Sequence, residues 1–238
     1  MDTDTSGRFV CHLKFTSNRL LVLFRAGFKR MASAPFEWTW PQWAVVFLFI
    51  MAVVAAYVWK WPIHGFFRGD DMGVPDMIAD VGGRCGDFPL PVSVGFLLAL
   101  SGCITGRKNW MEAGAALLAA AMIAGIITLA GQFVLAEQRP YKGGAMRFLV
   151  MDGHGVSGHS TSGALLLWPI TQILLRDVSR FIRNFAYVLL AGWVMVVAWS
   201  RMWNDKHFMW NVMLGLAAGL ASGYMTVKAN KELSENQC

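Results

Sequence analysis

Three short clusters in this 238-residue chain gather side chains suited to holding and transferring a charged group. The first is Gln138-Arg139-Pro140, and the second is Gly155-Val156-Ser157-Gly158-His159-Ser160. The third is Ser200-Arg201, followed by His207 and Asn211. Arg139 and Arg201 carry planar donor forks that match the oxygens of a phosphate. Ser157 and Gly158 stand where a helix begins, so free backbone N–H groups and the positive end of the helix dipole point to one place. Two histidines, His159 and His207, offer a nucleophile and a general acid, the pair that displacement at phosphorus needs where no metal is bound. His154 lies five residues before His159, but no third ligand has zinc-site spacing, so a metal centre is not expected.

These residues need elements to hold them, and composition says what kind. Apolar residues make up 55% of the chain and charged ones only 15%, with mean hydropathy +0.44. Soluble domains carry about 25% charged residues, so a membrane protein is expected. The net charge of +6 does not point to nucleic acid, because the 21 Lys and Arg are scattered between apolar blocks and form no stripe. Six segments approach the roughly 20 apolar residues that a spanning helix needs. They are Trp43 to Trp59, Pro89 to Thr105, Ala113 to Ala136, Ser157 to Leu175, Asn184 to Ser200 and Phe208 to Val227. The expected fold is therefore all-α, a polytopic bundle of six transmembrane helices. With both termini in the cytoplasm most of the basic residues fall inside, which is the bias membrane insertion imposes. The loops at 60–88 and 137–156 and the turn at 201–207 then face outward. All three clusters share that face.

The first 40 residues do not read as a cleavable signal, since the run Leu20 to Phe24 is short and is followed by Arg25, Lys29 and Arg30. Leu20, Phe24 and Phe28 recur at helical spacing, which predicts an N-terminal interfacial amphipathic helix on the inner leaflet. The expected organisation is a basic cytoplasmic segment at 1–40, a six-helix membrane domain at 41–230 and a cytoplasmic tail at 231–238. Asp70, Asp71, Asp76, Asp80 and Asp87 read as acids of a solvated outer loop, because nothing matches a calcium-loop spacing. Cys85 alone lies outside, so no internal disulfide is expected. Gly215, Gly219 and Gly223 recur every four residues and predict close helix packing within the bundle.

Taken together, the clusters resemble the three motifs of the type 2 phosphatidic acid phosphatase family, which shares its active site with vanadium haloperoxidases. Arg139-Pro140 matches the end of the first motif and Ser157-Gly158-His159 the second. Ser200-Arg201 and His207 match the third at the right spacing. Three positions depart: Gln132 stands where the family has Lys, Val156 where it has Pro, and Asn211 where it has Asp. The resemblance implies an integral membrane lipid phosphatase. His207 would form a phosphohistidine, oriented by Asn211 through its ring N–H, and His159 would protonate the leaving group and then activate water. Arg139, Ser157, Gly158, Arg201 and Gln132 would hold the phosphate oxygens. No metal and no organic cofactor is implied. The expected partners are membrane lipids and a lipid phosphate substrate: a phospholipid, lipid A or a polyprenyl phosphate or diphosphate. A phosphotransferase passing the group to a second lipid is the alternative, as is a non-catalytic binder or transporter of phosphorylated lipids. Short loops and the lack of Asn-x-Ser/Thr acceptors suggest a bacterial inner membrane, with the site on the periplasmic face.

Overall fold

A computed structural model describes residues 3–69, 73–150 and 154–235. It is all-helical apart from one antiparallel pair of two-residue strands. In chain order the elements are α1 (Thr3–Glu37), α2 (Trp40–Val58), α3 (Lys60–Phe67), α4 (Val74–Cys85), α5 (Pro89–Thr105) and α6 (Lys108–Val134). There follow β1 (Ala136–Glu137), a 3₁₀ turn at Pro140–Lys142, β2 (Met146–Arg147) and α7 (Gly158–Leu165). The chain closes with α8 (Leu167–Pro169), a π-helical stretch at Ile170–Leu174, α9 (Arg180–Trp203) and α10 (Met209–Glu235).

Four of these helices, α2, α6, α9 and α10, are long and apolar enough to cross a membrane. Counting α4 and α5 as one bent span, with 56° between them, gives five. The fourth expected span, Ser157 to Leu175, is not one helix. Pro169 lacks the N–H that an unbroken helix would use, and the backbone after it widens into the π-helical stretch. The core is carried by α6, whose run of alanines and Leu117, Ile123 and Ala124 is buried on nearly every side. Small side chains there let α5, α10 and α1 pack around it. By contrast α2 buries only Ala56 and turns most of its apolar surface outward, as a lipid-facing helix should.

The N-terminal segment is a 35-residue helix, but its face is not left to lipid alone. Thr16, Arg19, Leu23 and Ala34 are buried at three-, four- and eleven-residue intervals. Gly27 sits between Ile123 of α6 and Thr226 of α10. Arg19 donates to the Asn230 side-chain oxygen at 2.9 Å and lies 3.5 Å from Glu112. Glu112 is wholly buried and also accepts from Arg176 at 2.7 Å. This polar knot ties α1 to α6 and α10, whereas Leu21, Val22 and Phe28 remain exposed.

The segment at 60–88 also departs from the solvated loop expected of it. It forms α3 and α4, and α4 packs on α9. Asp76 accepts from the Trp203 indole at 2.7 Å. Asp70 and Asp71 lie outside the described residues.

Candidate active site

The candidate site begins at the N-terminus of α7. Ser157 is its N-cap, wholly buried, with its hydroxyl oxygen accepting from the Ser160 hydroxyl at 2.9 Å and from the Ser160 N–H at 3.4 Å. Its own hydroxyl proton is therefore turned away from Ser160. The first-turn N–H groups at Gly158 and His159 have no carbonyl one turn back, which is what makes this end electropositive. The loop leading in is pinned from two sides. Ser157 N–H donates to the Asn211 carbonyl at 3.1 Å, and Val156 packs its side chain on Gly131 of α6. Gly155 must be glycine, because a Cβ there would lie 1.5 Å from the Leu135 carbonyl oxygen.

Arg201, on the last turn of α9, is only 7% exposed, and its Nε has no acceptor. Arg139, just before the 3₁₀ turn, likewise has a buried Nε without an acceptor. Two guanidinium groups close enough to oppose each other electrostatically, one of them buried, are costly unless an anion joins them. His207 follows α9 in a tight turn. Both Lys206 N–H and His207 N–H donate to the Arg201 carbonyl at 3.0 Å, and Asp205 holds φ +57°. The His207 ring is buried, with Arg201, His154, Arg139 and His159 all near enough to act on it. Burial first, and Arg201 second, hold it well below the usual histidine range, so its neutral form is strongly favoured. A neutral imidazole is the form that can attack.

Two expected contacts are not the ones found. The Asn211 side-chain oxygen accepts from the Phe208 N–H at 2.9 Å, and its amide nitrogen donates to the Gly155 carbonyl at 2.7 Å. It thus caps α10 and ties that helix to the loop before Ser157, and does not accept the His207 ring N–H. The His207 Nδ1 atom is buried without a partner. Gln132 donates to the Val156 carbonyl at 2.9 Å, bracing the same loop. Both amides act on the backbone that carries Ser157 and Gly158.

Other residues at the site were not expected from sequence. His159 Nε2 lies 2.7 Å from the Asp87 carboxylate, and the Asp87 carbonyl accepts from the Ser162 hydroxyl at 3.0 Å. Asp87 was read as a solvated loop acid, yet it follows directly on the end of α4. That helix closes over the site through glycines: a Cβ at Gly83 would meet an Arg201 guanidinium nitrogen at 3.2 Å, and one at Gly86 the His159 Cβ at 3.4 Å. The grouping Gly82-Gly83 with Gly86-Asp87 was the available signal. His154, considered in the sequence only as a zinc ligand and set aside, has its ring close to perpendicular to that of His207, with centroids 6.4 Å apart. Behind these lies a buried ion pair, Lys60 to Glu137 at 2.7 Å, with Glu137 only 1% exposed. Burial pushes the Glu137 carboxyl above the usual range, and Lys60 pulls it back. Among the described residues no group of three His, Cys, Asp or Glu could hold a metal ion.

Two arginines, two histidines and a helix N-terminus thus lie together in this helical protein. Residues 110–234 match the PAP2 superfamily, and the chain belongs to it. The match covers the second and third motifs and Arg139-Pro140 of the first. No curated protein and no solved structure matches the chain.

Proposed function

We propose that the protein removes phosphate from a lipid phosphate through a covalent phosphohistidine at the outer face of a bacterial inner membrane. The observation that carries this reading is the buried Arg201 beside Arg139, His207 and His159, at the free N-terminus of α7. In the first step a ring nitrogen of neutral His207 attacks phosphorus, the P–O bond to the lipid breaks, and the departing oxygen takes a proton from His159. In the second, His159 takes a proton from water, the water oxygen attacks phosphorus, and the P–N bond breaks to release inorganic phosphate. Arg139, Arg201, the Ser157 hydroxyl and the Gly158 N–H stabilise charge on the transferred group. Asp87, 2.7 Å from His159 Nε2, supports the charged form of His159 that gives up its proton in the first step and is regained in the second. Gln132 and Asn211 serve by holding the loop.

A lipid substrate is supported by an apolar cavity of about 400 Å³ beside the site, lined among others by Val53 and Tyr57 of α2, Leu135, Met146, Trp210 and Leu214. Leu135 meets Gly155 and Trp210 precedes Asn211, so the cavity lies next to the loop that ends in Ser157. This reading includes a six-span topology, with residues 1–40 and 231–238 in the cytoplasm flanking a membrane domain at 41–230.

The test is release of inorganic phosphate by the purified protein from a panel of lipid phosphates with excess chelator present. Turnover on at least one of them is expected. Label transfer to a second lipid without phosphate release marks a transferase, and binding without either marks a non-catalytic carrier.

A further inference from the structure

Glu137 stands where the three segments of the site meet. It stands two residues before Arg139, and its carbonyl accepts from the His154 N–H at 3.1 Å, at the entry to the Ser157 loop. Its carboxylate reaches the Asn211 amide and the Trp210 indole, at the start of α10. One carboxylate oxygen is held by Lys60, whose ammonium also donates to the Gly144 carbonyl at 2.8 Å and lies 5.0 Å from the Phe208 ring. The other oxygen is buried and makes no hydrogen bond of normal geometry, and neither does the Trp210 Nε1 beside it. The Asn211 amide oxygen is taken by the Phe208 N–H, which leaves the donor end, the end that also serves the Gly155 carbonyl, to act on this carboxylate.

We infer that Glu137, anchored by Lys60, is a positioning residue that holds the Arg139, Ser157 and His207 segments in register, and that it requires an amide and not a carboxylate at position 211. A carboxylate at 211 would place a second negative charge against Glu137 and against the Gly155 carbonyl, in a site with little water. The loop that ends in Ser157 and the turn that carries His207 would both be pushed apart. The charge at 137 and the amide at 211 therefore form one unit. The inference rests on the proposed phosphate site but not on which lipid is hydrolysed.

The experiment is a double-mutant cycle on the full chain in detergent with Asn211→Asp, Glu137→Gln and the double variant. The readouts are phosphate release and binding of inorganic vanadate. Asn211→Asp is expected to lower both by about tenfold, and the double variant to exceed the product of the single effects by about fivefold or more. Asn211→Ala, which removes the cap bonds but adds no charge, should combine additively with Glu137→Gln. A gain from Asn211→Asp alone, or additivity of Asn211→Asp with Glu137→Gln, overturns the inference. If Asn211→Asp does not fold, an active double variant supports the coupling and a misfolded one overturns it. If the wild type binds vanadate but hydrolyses no lipid phosphate, the functional reading fails and the vanadate cycle still decides the inference. A wild type that does neither removes the site and the inference with it.

Discussion

At the level of single residues the site works by contrast between charge and burial. His207 is kept neutral by its surroundings, and this has a consequence for stability. An unfolded histidine titrates near 6.5, and the buried ring titrates well below that. The unfolded chain therefore takes up the proton first as the pH falls. The stabilisation from His207 is complete above about pH 6.5 and is lost as pH falls below it. Thermal unfolding in detergent should show the wild type losing stability between pH 7 and pH 5 relative to His207→Gln. Equal slopes for the two proteins contradict this placement of the ring. Arg201→Met should lower kcat by roughly 10²–10³, the range for removing one group that stabilises transition-state charge. Asp87→Asn should slow substrates with poor leaving groups more than those with good ones, because it acts through the proton on His159. Uniform slowing would instead mark Asp87 as structural. The arginines, the histidines and Ser157 were legible in sequence because each has distinctive chemistry at distinctive spacing. Asp87 and Glu137 were not, since a carboxylate in a loop reads as solvated until the fold shows what covers it. The Asn211 contact was missed because motif spacing aligns position 211 with His207 but does not say which backbone donor captures the side chain.

At the level of elements, α10 and α7 are the critical pair. Gly215 and Gly219 of α10 let α7 approach so closely that a Cβ at either would lie 2.4 Å from the Ser157 carbonyl or 2.3 Å from that of Thr161. The four-residue glycine stripe is thus a seam inside the bundle, as its spacing suggested. Gly215→Ala should cost roughly 1–3 kcal/mol by overpacking, and should lower activity further by displacing the loop that ends in Ser157. Gly223→Ala, where the nearest atom is 3.3 Å away on a Trp168 side chain, should be milder in both assays. Equal losses at the two positions would show that the seam does not position the site. Apolar runs revealed the long helices well. They did not reveal the break at Pro169, because an apolar run reports length and not hydrogen-bond pattern, although the proline itself was the available signal. Nor could they show that α1 joins the bundle, since Arg19 reads as a surface charge until its partners Asn230 and Glu112, far along the chain, are in place.

At the level of the whole molecule, the charge bias of the sequence predicts the orientation. In sealed right-side-out vesicles a membrane-impermeant thiol reagent should reach Cys85, which is partly exposed at the end of α4, and should not reach the exposed Cys11 of α1. Labelling of Cys11 in intact vesicles would reverse the topology and place the site inside. The central claim is chemical, however: a phosphoryl group passes through His207 without a metal. It is tested most directly by incubating the His159→Ala variant with excess chelator and a lipid diphosphate labelled in its terminal phosphate, whose leaving group needs no proton from His159, then isolating the protein under base. A base-stable, acid-labile phosphoprotein should accumulate in that variant and be absent when His207→Gln is added. Label retained after loss of His207, or no label unless zinc is restored, would contradict the phosphohistidine.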